Sequence, residues 1–296
     1  MNRRPPEFLI ADAALLEQAL DRTLPQTRQA YQEVYDAARY SLLGGGKRVR
    51  GSLCLSFARL CGAQQETALP FACAVEMAHC YSLIHDDLPA MDNDDYRRGK
   101  PSCHKAFGEG IALLAGDLLL TAAFETISTA PGLPDTKRAA GVAALAKAVG
   151  GAGMIGGQVV DLANENNPAL TAEQLDEINS LKTGKLLAAS AVLGCIAAGA
   201  QESALDAAER FAMDLGAAFQ IVDDILDVTG DEQLLGKAVG SDAREGKRTY
   251  AALLGIEGAR LRAAELTQRA KDTLRRTFAN PGPLEELADY LLYRDR

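Results

Sequence analysis

Two acidic strings hold most of the chemistry open to this 296-residue chain. The first, Asp86-Asp87-Leu88-Pro89-Ala90-Met91-Asp92-Asn93-Asp94-Asp95, carries five carboxylates before Arg97-Arg98 supply a base. The second is Asp223-Asp224-Ile225-Leu226-Asp227. On a helix Asp223 and Asp227 are four apart and share a face with Gln220. Phe219, Ile221, Val222, Ile225 and Leu226 surround them, so this stripe points into a protein interior. Like charges about 4 Å apart repel by about 4 kcal/mol at an effective dielectric of 20, so a cation must join them. Oxygen donors without histidine suit Mg²⁺, which keeps water ligands and bridges carboxylates to substrate phosphates. A calcium loop is a weaker reading, because Tyr96 and Arg97 stand where a ligand and a glycine are needed.

Basic residues flank both strings. Lys47, Arg48 and Arg50 follow Gly44-Gly45-Gly46, Arg97 and Arg98 follow the first string, and Lys237 and Lys247 follow the second. Guanidinium forks grip phosphate oxygens in pairs, and lysines act as point charges. With a net charge of −9 the chain as a whole is not expected to bind nucleic acid. Local bases beside acids suit instead a diphosphate held by metal and cations together. Two glycine strings mislead. Gly44-Gly45-Gly46-Lys47 lacks the hydroxyl residue of a P-loop, and Gly151-Ala152-Gly153-Met154-Ile155-Gly156 follows a helical stretch where a dinucleotide fingerprint needs a strand. Close helix packing explains those glycines better.

The elements that must position these groups are helices. Alanine and leucine abound, and β-branched runs are nearly absent. Apolar periodicity, glycine stops and proline gaps predict helices near 12–24, 27–43, 50–61, 67–87, 110–129, 135–149, 154–164, 172–199, 203–229, 247–256, 258–278 and 283–292. Thr171 with Gln174 reads as a capping box. No repeat or linker divides the chain, so residues 1–296 are expected to form one all-α domain. The six cysteines are expected to be free and mostly buried, as in a reducing compartment. No signal segment is visible, and the longest uncharged apolar run, Leu186 to Ala200, is short for a bilayer. A cytoplasmic protein without membrane insertion is the expectation.

Tyr81-Ser82-Leu83-Ile84-His85-Asp86-Asp87-Leu88-Pro89-Ala90-Met91-Asp92 and Phe219-Gln220-Ile221-Val222-Asp223-Asp224-Ile225-Leu226-Asp227 resemble the two aspartate-rich motifs of trans-prenyl diphosphate synthases. The bacterial farnesyl-forming branch is the most similar. Four supporting strings stand in family order: Gly44 to Arg50, Gly156 to Asp161, Lys182-Thr183-Gly184-Lys185, and Gly236 to Tyr250. Asn93 and Ser241 are small departures.

The resemblance implies an isoprenoid-synthase bundle of about ten core helices around a deep central cavity, normally a homodimer. It implies three Mg²⁺, replaceable by Mn²⁺, held by Asp86 and Asp92 on one side and Asp223 and Asp227 on the other. Arg97, Lys182 and Lys247 would grip the allylic diphosphate, with Lys237 in the lid. Lys47, Arg50, His79 and Arg98 would bind isopentenyl diphosphate. Thr183 and Gln220 would face the allylic cation. The implied activity is head-to-tail condensation of isopentenyl with dimethylallyl or geranyl diphosphate. Helix geometry alone favours Ser82 as the residue nearest the product tail. The resemblance favours Tyr81 as the floor, and hence a fifteen-carbon farnesyl product. Rival readings are a geranylgeranyl diphosphate synthase, a terpene cyclase and a non-catalytic subunit. The last should carry eroded acidic motifs, and these are intact.

Overall fold

The computed structural model describes residues 4–26, 29–165, 167–229 and 248–294. Apart from one small hairpin, β1 (Tyr96–Arg97) against β2 (Lys100–Pro101), its regular structure is helical. The helices are α1 (Glu7–Thr23), α2 (Gln32–Leu42), α3 (Val49–Leu60), α4 (Gln65–Asp86), α5 (Cys103–Phe107), α6 (Glu109–Ser128), α7 (Asp135–Val149), α8 (Met154–Ala163), α9 (Ala172–Asn179), α10 (Lys185–Ala198), α11 (Glu202–Thr229), α12 (Tyr250–Thr277) and α13 (Gly282–Tyr293). The expected all-α class stands, with more helices than the ten anticipated.

Two differences from the expected elements have clear causes. The stretch 172–199 is not one helix: a π-helical turn, Ser180–Gly184, separates α9 from α10. At that turn Gly216 of α11 abuts Gly184, where an added Cβ would stand 3.3 Å from the Gly184 Cα. Two glycines thus let the extra residue bulge without a clash. The two helices expected near 247–278 are present as the two halves of α12, broken where Gly255 adopts φ 70° and ψ 162°, outside the helical region. The hairpin and α5 were not foreseen, because no apolar period marks them. The capping box at Thr171 and Gln174 forms as expected.

Helix α4 is the axis of the bundle. It buries Ala68, Phe71, Ala72, Cys73, Ala74, Val75, Glu76, Met77, Ala78, Cys80, Tyr81 and Ile84. A helix apolar nearly all round must be covered on most sides, and α1, α2, α3, α6 and α10 cover it. Helix α10 joins this core to a second one made with α3, α11, α12 and α13. There Phe57 packs edge-on against Phe211 and Phe278, with centroids 5.6 and 5.9 Å apart. Phe57 and Phe211, both fully buried, each contribute about 1.5–3 kcal/mol relative to exposure. Gly194 lets α10 meet α3 backbone to backbone; a Cβ there would stand 2.2 Å from the Cys54 carbonyl oxygen.

All six cysteines are free, and all but Cys61 are buried. Four helical stretches, 65–86, 109–128, 135–163 and 172–198, are long and apolar enough by length and composition to cross a membrane. The fifteen-residue run therefore understated the apolar length. The most apolar window is 67% buried in α4 and 61% in 172–198, against 39% in 109–128 and 33% in 135–163.

Candidate active site

Asp86 ends α4, and the chain turns back at once, the Asp92 amide donating to the Asp86 carbonyl at 2.9 Å. That turn brings the Asp86 and Asp92 carboxylates to one place. Burial pushes the Asp86 carboxyl up to about 6; Lys182 opposes the shift, and Asp92 adds to it. Asp87 points elsewhere. It is buried and accepts from Arg97 Nε at 2.9 Å, and Asp94 accepts from the same guanidinium at 3.3 Å. Arg97 is therefore already engaged by the acids beside it. Burial works against its charge, and those carboxylates more than restore it.

The second string divides in the same way. Asp224 is buried and structural: it accepts from the Tyr250 amide at 2.8 Å, at the start of α12, and from Gln220 Nε2 at 3.2 Å. Asp223 is partly exposed and accepts from Arg294 Nη2 at 2.6 Å. Arg294, only 8% exposed, also lies 4.0 Å over the Phe219 ring. Asp227 is 2% exposed.

Lys182 and Thr183 sit on the π turn. Lys182 donates to Asp161 of α8 at 2.7 Å. Gly157 makes that meeting possible, since a Cβ there would fall 2.3 Å from the Lys182 amide nitrogen. Gly157 thus lets α8 and the π turn pack closely, whereas a Cβ at Gly156 would meet the Gly151 carbonyl oxygen, just ahead of the same helix, at 2.0 Å.

Two adjoining cavities share Arg50 and His79. One, about 490 Å³, is lined by Lys47, Arg48, Arg50, Glu76, His79, Arg98, Phe219 and Arg294 among others. The other, about 330 Å³, is lined by Asp86, Lys182, Thr183, Tyr81, Ser82 and His85, with Met154, Val159 and Leu162 on its apolar side. Arg98 reaches the first cavity across Gly46, where a Cβ would lie 2.8 Å from the guanidinium carbon. Enclosure by protein pushes Arg50 down to about 10 against the pull of Glu76. The same enclosure, together with Arg50 and Arg98, holds His79 well below its ordinary value. Tyr81 is 5% exposed and packs edge-on against His85, with centroids 5.7 Å apart. His85 in turn fits against Gly116 of α6.

Lys237 and Lys247 lie outside the described residues. Sequence reasoning passed over Glu76, Asp161, His85 and the α8 wall. Glu76 had a signal: it lies three residues before His79, on the same face of α4.

Residues 31–291 match the polyprenyl synthetase family. The chain belongs to that family. It is a prenyltransferase. It is 45% identical to the heterodimeric geranylgeranyl pyrophosphate synthase large subunit 1 of Arabidopsis thaliana, over 97% of this chain and 78% of that one. It is 42% identical to a geranylgeranyl diphosphate synthase of Cyanophora paradoxa, over 97% of this chain and 96% of that one. Among solved structures, an FPP/GFPP synthase of Zymomonas mobilis superposes with a TM-score of 0.85 at 36% identity, covering 96% of this chain and 97% of the other.

Proposed function

We propose that this polyprenyl synthetase joins isopentenyl diphosphate to an allylic diphosphate, and that its main product is the twenty-carbon geranylgeranyl diphosphate. The observation that carries the reaction is the pair of cavities meeting at Arg50 and His79. One has Asp86 at its rim beside Lys182 and an apolar wall, and the other is basic. A terpene cyclase has no need of the second. Twenty carbons replace the fifteen expected from the sequence because several relatives at 42–49% identity carry geranylgeranyl names. One observation favours the fifteen-carbon reading instead: Tyr81 is a buried ring in the wall of the acid-rimmed cavity.

Among the described residues no three acidic, histidine or cysteine side chains converge tightly enough to cage a metal. Mg²⁺ takes few protein ligands and completes its shell with water and substrate phosphate. Asp86, Asp92, Asp223 and Asp227 would hold it. When bound, it would neutralise charge growing on the departing diphosphate.

The chain's own residues supply the rest. Lys182 and Arg97 orient the allylic diphosphate, and their fixed charges favour its departure. Lys47, Arg50, His79 and Arg98 hold isopentenyl diphosphate with its double bond facing the allylic carbon. Oxygens of Thr183 and Gln220 face the cation left when the C–O bond breaks. Met154, buried in the wall of the same cavity, helps keep water from it. A new C–C bond forms, and the released diphosphate takes the proton lost. A soluble cytoplasmic homodimer belongs to the same proposal.

Incubating the protein with dimethylallyl and isopentenyl diphosphates and Mg²⁺, then chromatographing the dephosphorylated products, tests this. A C20 alcohol is expected. A C15 alcohol would return the product to farnesyl, and no elongation would overturn the reading.

A further inference from the structure

A carboxylate in the wall of an anion-binding cavity requires an explanation. Glu76 is 2% exposed and lines the basic cavity with Arg48, Arg50, His79 and Arg98. Its Oε1 accepts from the Gly51 amide at 2.8 Å, and its Oε2 accepts from Arg48 Nη1 at 3.3 Å.

Gly51 occupies the third position of α3, where the amide has no partner within its own helix. The residue that would normally cap this end is Arg48, which has no side-chain cap bond and adopts the left-handed region, φ 50° and ψ 35°. Glu76 therefore caps α3 from another helix, placing negative charge at its positive end. It also pins Arg48, whose other partners are Glu17 Oε1, at 2.8 Å from Nε, and the Leu42 carbonyl. Gly51 is needed for the approach: a Cβ there would stand 3.1 Å from Glu76 Cγ and 2.7 Å from Leu16 Cδ1. Lys47 immediately precedes this braced turn, and Arg50 lies within it, between Arg48 and Gly51.

Resting on the reading above, we infer that Glu76 is a positioning residue for the isopentenyl diphosphate subsite, bracing the start of α3 so that Lys47 and Arg50 converge on the diphosphate. Its charge also offsets the cluster of guanidiniums around it while the cavity holds no anion. Both of its oxygens are engaged by Gly51 and Arg48, and it does not line the cavity that holds Asp86.

The test is titration calorimetry of isopentenyl diphosphate without metal, beside steady-state kinetics. Glu76→Ala should weaken binding at least tenfold and raise the KM for isopentenyl diphosphate to match. The KM for the allylic substrate and kcat at saturation should stay within about twofold. Glu76→Gln, which keeps an acceptor for the Gly51 amide, should recover about half of the loss on a logarithmic scale. A folded Glu76→Ala protein with wild-type affinity would overturn the inference. If neither variant folds, Glu17→Gln loosens the Arg48 side of the brace from outside the cavity and should raise the same KM alone; an unchanged KM there also overturns it. A wild-type protein that neither binds nor uses isopentenyl diphosphate would overturn the prenyltransferase reading together with this inference.

Discussion

Arg294 Nη2 donates to Asp223 Oδ1 at 2.6 Å, joining the end of the described chain to a helix 71 residues earlier. Its Nε is buried without a partner, and its face covers Phe219. Removing Asp223 would leave a buried guanidinium with the Phe219 carbonyl as its remaining acceptor. Asp223→Ala should therefore lower stability by about 1–3 kcal/mol, and Asp223→Asn by less, as read in urea melts. Because Asp223 also faces the leaving diphosphate in our reading, Asp223→Ala should cut kcat far more than the KM for isopentenyl diphosphate. A change mainly in that KM would mean the two diphosphate subsites are exchanged.

Gly157 is a second sensitive point. An added methyl would meet the Lys182 backbone at 2.3 Å, and backbone cannot swing aside. Gly157→Ala should cost about 1–3 kcal/mol by overpacking and displace Lys182 from Asp161. Activity should fall with stability. Full activity in a folded Gly157→Ala protein would show that the π turn tolerates displacement.

His79 gives a pH signature. Enclosure by protein and the guanidiniums of Arg50, Arg98, Arg97 and Arg48 keep it neutral in the folded state, well below 6.5. The unfolded chain takes up a proton near 6.5 and the folded chain does not, so stability must fall as pH drops through and below that value. The loss approaches about 1.4 kcal/mol per pH unit. Denaturant melts at about pH 7.5 and pH 5.5 should show this slope shrinking in His79→Gln. Equal slopes in both proteins would mean His79 is protonated when folded.

Metal dependence is expected from the oxygen-only donors. EDTA should abolish turnover, and Mg²⁺ or Mn²⁺ should restore it. Turnover in excess chelator would remove Asp86, Asp92, Asp223 and Asp227 as ligands.

Tyr81 bears on product length. Its buried ring packs against His85 in the wall of the acid-rimmed cavity. Tyr81→Ala opens that wall without touching a proposed ligand, so products should lengthen by at least one five-carbon unit while most of the turnover remains. An unchanged product from an active variant would remove Tyr81 as the floor.

What the sequence by itself determined is local. The helices, the Thr171 cap and the shared face of Asp223 and Asp227 follow from spacings of three and four residues, which an α-helix converts directly into neighbours. The acidic strings were legible from residue type and order alone. What the tertiary structure decided is which distant partner each member of a pair meets. Asp86 opens on the cavity while Asp87 is tied to Arg97, and Asp224 is spent on the Tyr250 amide while Asp223 meets Arg294. Adjacent residues on a helix point about 100° apart, so each pair divides, but which half meets a distant partner depends on helix packing. Glu76 shows the same limit: a buried glutamate on α4 has no local partner, and its purpose emerges only where α3 lays an uncapped end against it.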